Sequence, residues 1–330
     1  MKKVRVGLLG FGNVGSGTYD TLKMNMGKIE RETGVTFSID KILVRDPSRP
    51  RRSEAPAVLF TKDPDDIIGN PDIDIVCELL GGIEPASQYM LNAMKFRQHV
   101  VSANKAAIAA NYPQLIKAAK DNGVEFRFEA SVGGGIPVLS ALTSVLGAND
   151  FSEIMGICNG TTNYILTQMT DFDLDYEDVL KVAQEKGFAE ADPTADVEGF
   201  DVANKLSILI ALAFGEYIAP EEIPTTGITG ITKDDIASAT ARHQKIKLIG
   251  HASKDENGKL EYSVAPMELP FSHPLAGVNN EFNAIFVTGN AVDDLMFYGK
   301  GAGPLPTGSA VAGDVLEIGK AIAKCAECEK

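Results

Sequence analysis

The sequence predicts an α/β fold, with a doubly wound parallel sheet in the first part of the chain and a second, α+β domain after it. Three observations lead to this prediction. The chain starts with a short apolar run, strand-like and helix-like segments alternate for the first 130 residues or so, and the pattern changes after Gly133-Gly134-Gly135. Strands that alternate with helices are joined by right-handed crossovers and pair in parallel.

The predicted strands of the first part are short and apolar, as expected for strands that are buried on both faces. They are Val4–Leu9, Phe37–Val44, Ile73–Glu78, His99–Ser102 and Glu125–Phe128. Helix-like segments such as Pro85–Phe96 and Tyr112–Asn122 lie between them. This order predicts one parallel sheet with helices on both of its faces.

The second part has a mixed pattern. Predicted helices are Ile136–Leu146, Asn163–Met169, Tyr176–Lys186 and Phe200–Phe214, and predicted strands are Lys245–His251, Leu260–Met267, Ala284–Thr288 and Leu295–Tyr298. Gly187–Gly199 is predicted to be a polar loop and Thr307–Lys324 a closing helix. We therefore predict a first domain at 1–133, with 300–330 packing back onto it. A substrate-binding and dimerisation domain is predicted at 134–299, whose open sheet would form a homodimer surface.

Composition and charge argue against several classes of protein. The chain has 330 residues with 45 acidic and 31 basic side chains, and its formal net charge is −14. Nucleic acid and anionic membranes would repel such a charge. No apolar run approaches the roughly 20 residues that span a bilayer, and the start of the chain leads into a strand rather than a signal peptide. We predict a cytoplasmic protein that binds neither nucleic acid nor membrane.

The four cysteines are not predicted to take part in catalysis. Cys77 and Cys158 lie in apolar, strand-like runs, which favours buried, reduced thiols. Cys325 and Cys328 form a C-x-x-C near the end of the chain, which is at best half of a zinc site. A regulatory disulfide is the alternative for that pair.

A glycine-rich turn follows the first strand and opens the first helix. It reads Gly10-Phe11-Gly12-Asn13-Val14-Gly15. Glycines at these positions allow a tight turn and a close approach of the backbone to a pyrophosphate, while the helix N-terminus offers N–H groups and a partial positive charge. In this strand–turn–helix context, the motif predicts a Rossmann-type dinucleotide site. An incidental glycine turn is the alternative.

The end of the second strand bears on which dinucleotide binds. An acidic residue there favours NAD by bonding the ribose hydroxyls, but this strand ends with Arg45 before Asp46, and Arg49, Arg51 and Arg52 follow. A guanidinium can bind a 2′-phosphate. The sequence favours NADP, with NAD still possible through Asp46, and a solvated basic loop is the other interpretation.

The helix Phe200–Phe214 carries the most informative polar residues. Asp201, Asn204 and Lys205 share one face within a turn, and the rest of the helix is apolar. An apolar helix is buried, so its carboxylate and ammonium need partners. An ordinary surface ion pair is the alternative. We expect burial to lower the pKa of Lys205, with Asp201 opposing that shift.

Two further groups are candidates for the same site. The loop before this helix carries Glu190, which could bring another carboxylate beside it. Lys105 follows the fourth strand directly, and ligands bind beyond the carboxyl ends of parallel strands. A solvated loop lysine is the alternative for Lys105. A small amino acid has an ammonium that needs carboxylates and a hydroxyl that needs an acid–base partner.

Six stretches of the sequence, in one order along nearly the whole chain, resemble homoserine dehydrogenase. They are GFGNVG at 10–15, SANKA at 102–106, EASVGGGIPV at 129–138, NGTTNYIL at 159–166, KGFAEADPTADVEGFDVANKL at 186–206 and GKGAGPLPTGSAVAGD at 299–314. Six ordered stretches are far more specific than any single motif.

The resemblance implies a reaction and a set of residues that perform it. The reaction is the reversible, NAD(P)-dependent reduction of L-aspartate 4-semialdehyde to L-homoserine, on the route to threonine, methionine and isoleucine. Lys205 corresponds to the family's proposed general acid–base residue, and Lys105 to an active-site lysine between nicotinamide and substrate. Glu190 and Asp201 correspond to substrate-binding carboxylates, with Gly187 contributing its backbone.

The resemblance also implies a monovalent cation, typically sodium, near the domain junction. The backbone of Glu129, Val132, Gly134 and Ile136 corresponds to that cation site. Gly303 corresponds to a cofactor contact in the returning C-terminal segment.

Two departures from the family pattern affect these expectations. Lys300 stands where family members commonly have proline, next to the expected cofactor contact. The sequence ends at Lys330 without the amino-acid-binding regulatory domain of many members, so we expect no allosteric inhibition by threonine through such a domain. Two other functions stay open at this stage: a different small amino-acid dehydrogenase, for instance one acting on aspartate, and a catalytically silent nucleotide-sensing module.

Overall fold

The structure is a computed structural model that describes the backbone of residues 2–328 and the side chains of residues 2–325. The chain forms two compact units. The first comprises residues up to Gly135 and from Ala302 onward, and the second comprises Ile136–Gly301.

The first unit contains six strands and four of the longer helices. The strands are β1 (Lys2–Leu9), β2 (Val35–Leu43), β3 (Phe60–Thr61), β4 (Ile75–Glu78), β5 (His99–Ser102) and β6 (Phe126–Arg127). The helices are α1 (Asn13–Thr33), α2 (Ala86–Lys95), α3 (Lys105–Asn122) and the returning helix α9 (Pro304–Cys328).

The second unit contains the other strands and helices. The strands are β7 (Phe151–Ile157), β8 (Gln244–Lys254), β9 (Leu260–Pro270), β10 (Phe282–Gly289) and β11 (Asp293–Lys300). The helices are α4 (Gly160–Phe172), α5 (Tyr176–Glu185), α6 (Thr194–Val197), α7 (Phe200–Ala213) and α8 (Lys233–Ala241).

The sheet of the first unit is parallel throughout and has the strand order β3-β2-β1-β4-β5-β6. This is the doubly wound arrangement that the alternating pattern predicts, with the strand order reversing between β1 and β4. Its central strand is sealed from solvent, because Val4, Val6 and Leu8 are fully buried. The predicted Rossmann-type fold is confirmed.

Two glycines allow α1 and α9 to pack closely within this unit. A Cβ on Gly17 would lie 1.8 Å from the carbonyl oxygen of Pro304, and a Cβ on Gly308 would lie 2.3 Å from the carbonyl carbon of Gly17. Any larger residue would push the helices apart. The start of α9 is therefore fixed against the helix that follows the glycine turn.

The second unit is built on an antiparallel sheet with the order β11-β10-β7-β8-β9. A cluster of buried apolar side chains, including Met155, Ile249 and Phe286, covers one part of it together with the turn Pro274–Gly277. Helices α4 and α7 both contact β8. This unit has the α+β composition that the sequence predicts.

Some local predictions for the second unit are wrong. The predicted helix Ile136–Leu146 begins later, at Leu139, and continues as a π-helical stretch at Ala141–Val145, since Pro137 disfavours the helical conformation for the residue before it. Helix α8 was not predicted, and for β7 only a strand-like run at Cys158 was noted, without bounds. The pattern of β7 does not alternate between polar and apolar side chains, and α8 starts at a capping box of Thr232 and Asp235 that was not recognised.

The cysteines agree with the prediction as far as they are described. Cys77 and Cys158 are buried, free thiols, and burial raises the pKa of both, that of Cys158 to about 12. Cys325 is exposed, and the side chain of Cys328 lies outside the described residues. Among the described helices, none is long and apolar enough to cross a membrane.

Candidate active site

The glycine turn between β1 and α1 leaves an open space beside the helix N-terminus. Gly10 has φ +104°, and a Cβ there would lie 2.7 Å from the carbonyl oxygen of Leu79. A Cβ on Gly15 would lie 2.4 Å from the carbonyl oxygen of Gly10. A Cβ on Gly12 would meet no protein atom within 4 Å. Two glycines therefore close the turn, while the third leaves room for a ligand.

The other residues of the motif hold the glycine turn in place beside this open space. Phe11 is buried and makes edge-to-face contacts with Tyr19 and Phe60, which anchors the turn in the core. Val14 packs against the same core, and Asn13 is exposed at the first position of α1. The N–H groups of a first helical turn have no acceptor within their own helix. They and the open face of Gly12 fit a diphosphate.

The charged side chains in the loop after β2 differ in whether they have hydrogen-bond partners within the loop. The Asp46 carboxylate accepts hydrogen bonds from the N–H and hydroxyl of Ser48, which lower the pKa of Asp46. Arg51 donates to the carbonyl oxygens of Asp46, Pro47 and Arg49. Arg45 is exposed, directly beyond the end of the strand. The loop thus presents Arg45, while Asp46 is bound by its neighbour.

Lys105 is the first residue of α3 and is half-buried. The preceding Asn104 caps the helix by accepting from the N–H of Ala107, and it donates to the Gly82 carbonyl and to Glu78. Lys105 thus follows the carboxyl end of β5, as expected. The loop after β4 is tied to the same point.

Glu78 is a buried carboxylate that the sequence analysis did not single out. It accepts hydrogen bonds from the N–H of Leu80 and the hydroxyl of Ser102, at 2.8 Å each. Burial raises the pKa of Glu78, and these hydrogen bonds reduce that shift. Because Glu78 and Ser102 end neighbouring strands, the carboxylate fixes the loops at this edge of the sheet.

In the second unit, Lys205 and Asp201 form a buried ion pair on α7. The ammonium Nζ lies 2.6 Å from Asp201 Oδ2 and donates to the Cys158 carbonyl oxygen, also at 2.6 Å. Lys205 is 8% exposed and Asp201 is 6% exposed. The pair is therefore not the ordinary surface ion pair that the i, i+4 spacing alone allows.

The expected direction of the Lys205 pKa is wrong. Burial lowers the pKa of Lys205, but the charge and hydrogen bond of Asp201 outweigh burial, and the net shift is upward from the ordinary 10.5. The reason is the short contact, because a carboxylate in hydrogen-bond range favours the charged amine. Lys205 is thus a protonated ammonium at neutral pH.

A second carboxylate beside this pair was missed by the sequence analysis. Asp196, on the short helix α6, is half-buried and shares the Asn159 amide with Asp201. Its other oxygen accepts from the Thr161 hydroxyl at 3.2 Å. Burial and the neighbouring charge of Asp201 raise the pKa of Asp196, and hydrogen bonding lowers it. The only signal in the sequence was its place in the matched stretch 186–206.

The predicted loop residues Gly187 and Glu190 lie at the surface. Gly187 has φ +74° and follows α5, with its N–H bonded to the Gln184 carbonyl. The Glu190 carbonyl accepts from Gln184, and its side chain is exposed. Within the described part of the chain, the Glu190 carboxylate makes no hydrogen bond or ion pair. The structure brings Asp196, rather than Glu190, beside Asp201.

Along the chain, the predicted cation ligands fall before and after Gly135, where the first unit ends. Glu129, Val132 and Gly134 are buried in the first unit, and Ile136 is buried in the second. The carbonyl oxygens of Glu129 and Ile136 also accept backbone hydrogen bonds, at 3.4 and 2.9 Å. Carbonyl oxygens are the donor type that hard cations prefer. Among the described residues, no group of three or more His, Cys, Asp or Glu side chains could hold a metal.

Two residues near the start of α9 complete the predicted set. Gly303 has φ +123°, and its carbonyl accepts from the N–H of Thr307, so it precedes the helix as a turn residue. Lys300, which replaces a common proline, ends β11 and is exposed.

Asp314, which was not predicted, is buried on α9 and accepts a hydrogen bond from the Glu129 N–H at 2.9 Å. Burial raises the pKa of Asp314 to about 7.

Comparisons with known proteins agree over both units. Residues 137–316 match the profile described as homoserine dehydrogenase, and residues 10–129 match that of the homoserine dehydrogenase NAD-binding domain. The homoserine dehydrogenase of Bacillus subtilis is 45% identical over 97% of this chain and 74% of its own length. That of Synechocystis is 43% identical over 96% of this chain and 73% of its own.

Solved structures give the same result. The homoserine dehydrogenase of Thiobacillus denitrificans superposes with a TM-score of 0.92 at 40% identity, over 98% of this chain and 75% of that one. A hyperthermophilic archaeal homoserine dehydrogenase in complex with NADPH superposes with a TM-score of 0.80 at 26% identity, over 96% and 97% of the two chains. The glycine turn and the buried lysine–aspartate pair agree with these matches. The chain belongs to the homoserine dehydrogenase family of nicotinamide-dependent oxidoreductases.

Proposed function

We propose that Lys205 is the proton donor in the reduction of L-aspartate 4-semialdehyde to L-homoserine and accepts the proton in the reverse direction. The observation that carries this proposal is the buried Lys205–Asp201 pair, with an ammonium held charged at 2.6 Å from its carboxylate. When bound, the nicotinamide supplies or takes up the hydride. Lys205 supplies the proton that the developing alkoxide needs.

The acidic groups would bind the substrate ammonium. Asp201 and Asp196 lie within reach of one amide, so they present two carboxylates to one small cation. Glu190, on the exposed loop before α6, would add a third carboxylate, with the Gly187 backbone in the same loop. Lys105, at the carboxyl edge of the parallel sheet, would lie beside the nicotinamide.

We infer a preference for NADP over NAD. Arg45 is exposed at the end of β2, whereas Asp46 is bound by Ser48 and Arg51 is bound to loop carbonyls. The guanidinium of Arg45 is then the group that would meet a 2′-phosphate. Arg45→Gln should weaken NADP binding by about 10- to 100-fold, the effect of a charge-assisted hydrogen bond, and leave NAD unchanged. Arg49→Gln is the matched control; equal losses for both cofactors would contradict this role.

The remaining proposals concern the cation, the two units and assembly. The carbonyls of Glu129, Val132, Gly134 and Ile136 would hold sodium, and activation by sodium chloride over choline chloride would test this. We assign dinucleotide binding to the first unit and substrate binding and dimerisation to the second. A homodimer in the cytoplasm is the expected form, and sedimentation at working concentrations tests the assembly.

The direct experiment is NADPH oxidation with aspartate semialdehyde. The proposal predicts turnover, and the reverse reaction with L-homoserine and NADP. Turnover with aspartate instead would indicate another amino-acid dehydrogenase. Nucleotide binding without any turnover would indicate a sensing module. Loss of activity in Lys205→Ala, with a thermal unfolding midpoint near that of the wild type, would assign the chemistry to this site; full activity in that variant would rule out the role.

A further inference from the structure

The Asn159 side chain lies between the two carboxylates of the second unit. Its Nδ2 donates to Asp196 Oδ1 at 2.7 Å and to Asp201 Oδ2 at 2.9 Å, which uses both of its hydrogens. Asn159 is 5% exposed.

The orientation of this amide is fixed by its oxygen. Asn159 is the N-cap of α4, and its Oδ1 accepts from the Thr162 N–H at 2.9 Å and from the Thr162 hydroxyl at 3.1 Å. A backbone N–H can only donate, so the amide oxygen must face Thr162. A flipped amide would place its oxygen against two carboxylates. The NH2 group is therefore held toward the acidic residues.

The same short segment also holds Lys205. The Cys158 carbonyl, one residue before Asn159, accepts from the Lys205 ammonium at 2.6 Å. Asp201 Oδ2 accepts from both Lys205 and Asn159. The ammonium and the amide thus share one carboxylate oxygen, and the junction of β7 and α4 fixes both donors.

We infer that Asn159 is a positioning residue for the proposed site: it holds Asp196 and Asp201 as two adjacent, ionised carboxylates that face the substrate ammonium. This inference rests on the proposed function. Asn159 acts through the two carboxylates and not on the reacting atoms. An ordinary helix cap would need only the amide oxygen, whereas the two donated hydrogens serve the site.

The charged groups around Asp196 give the direction of the effect. On α7 they are Asp201 and Lys205, and the neutral Thr161 hydroxyl donates to Asp196 from α4. Burial and Asp201 raise the pKa of Asp196, while Asn159, Lys205 and Thr161 lower it. Removal of the Asn159 donors therefore raises this pKa, and the carboxylate is lost at a higher pH.

The test is Asn159→Ser, which keeps a capping oxygen for α4 but has no amide donors. In the reductive direction, we expect the KM for L-aspartate 4-semialdehyde at neutral pH to rise by about 10-fold, and the acidic limb of kcat/KM to move up by about one pH unit. The KM for NADPH should stay unchanged. Asn159→Asp is isosteric but anionic, and it should shift the acidic limb further in the same direction. This variant provides the test if the serine variant does not fold.

Asn163→Ser is the matched control on the same helix. Asn163 is also buried, but it bonds the carbonyls of Val278 and Phe282 outside the site. The Asn163→Ser variant should lower the midpoint of thermal unfolding without moving the acidic limb of kcat/KM. If both serine variants move the limb equally, or neither does while Lys205→Ala is inactive, the inference is wrong and the proposed function stands. An active Lys205→Ala would instead contradict the proposed function.

Discussion

Two lysines are buried in the second unit, and they have opposite electrostatic environments. Lys205 is 8% exposed and Lys247, on β8, is 2% exposed. Each donates to a main-chain carbonyl at 2.6 Å, Lys205 to Cys158 and Lys247 to Val278. Their second partners differ, because Lys205 meets the Asp201 carboxylate whereas Lys247 meets the neutral amide oxygen of Asn163 at 2.9 Å.

The difference in the second partner reverses the direction of the pKa shift. Burial lowers the pKa of both amines, and for Lys247 it lowers it to about 7, with Lys245 adding to the shift. For Lys205 the attraction of Asp201 exceeds the effect of burial, and the pKa is raised. Burial of a lysine therefore does not by itself make it a neutral base. The second partner decides, and it makes Lys205 a proton donor.

The largest expected effect separates the two lysines by activity. Lys205→Met should lower kcat by about 100- to 10,000-fold, the usual contribution of a general acid. Lys247→Met should leave kcat near the wild-type value, because Lys247 bonds to structural carbonyls and not to the acidic residues. Steady-state NADPH oxidation measures both. A similar loss in the two variants would mean that burial, and not the carboxylate, is what matters.

The next effect concerns Asp201, which distinguishes the two environments. In Asp201→Asn, Lys205 keeps a hydrogen-bonding partner but loses the opposite charge, so burial lowers its pKa, as it does for Lys247. Because the reduction needs a protonated Lys205, the alkaline limb of kcat should move to lower pH by about one to three units. The control is Asp234→Asn, an exposed acid on α8. An unmoved alkaline limb would contradict the stated cause.

A smaller effect appears in stability against pH. The folded-state pKa of Lys247, about 7, lies below the ordinary 10.5. Between these values the unfolded chain binds a proton that the folded chain does not, so the unfolding free energy rises with pH, by up to about 1.4 kcal/mol per unit. Below the folded pKa this contribution is constant. Lys247→Met should remove that rise in urea unfolding curves.

Exposed Lys259 provides the control for this comparison, since Lys259→Met should leave the pH dependence as it is in the wild type. If Lys247→Met unfolds with the same slope between pH 7 and 10 as the wild type, the lowered pKa is not present in the folded protein.

The smallest effect would come from giving Lys247 a carboxylate. Asn163→Asp places a charge where the amide oxygen lies 2.9 Å from the ammonium. The pKa of Lys247 should rise and the pH-dependent slope should flatten, by about half or more of the single-group value. The lost donors to Val278 and Phe282 lower the thermal midpoint at the same time. An unchanged slope would show that partner charge is not decisive.

Parts of the structure that depend on local pattern were predictable. The apolar strands and the glycine turn of the first unit follow from their own residues, and the doubly wound order follows from the crossover rule. The segment Ile136–Leu146 has helical composition, but Pro137 disfavours a helical conformation at Ile136 and the helix begins only at Leu139. Local pattern therefore determines elements except where backbone chemistry overrides it.

The site was only partly predictable, because its groups come together through packing. Asp201 and Lys205 were found since they share a face of an apolar helix. Asn159 and Asp196 were missed, because they reach Asp201 from other elements and no spacing links them. The direction of the Lys205 pKa depends on a 2.6 Å contact that sequence spacing cannot specify.

Lys247 was overlooked for a related reason. Lys245 and Lys247 alternate with Ile246 and Leu248, a pattern typical of a strand with one solvent-facing side. Helix α4 covers part of that side, and Asn163 on it receives the Lys247 hydrogen bond. The helix that buries this lysine lies about 80 residues earlier in the sequence, so alternation alone could not reveal it.

The most direct measurement of the central claim is a titration of the two amines by NMR, with carbon-13 in the lysine ε-methylene and assignment from Lys205→Arg and Lys247→Met. The account predicts that the Lys247 signal titrates near pH 7 and that the Lys205 signal stays at its charged position beyond pH 10.5. A Lys205 signal that titrates near neutrality would contradict the account.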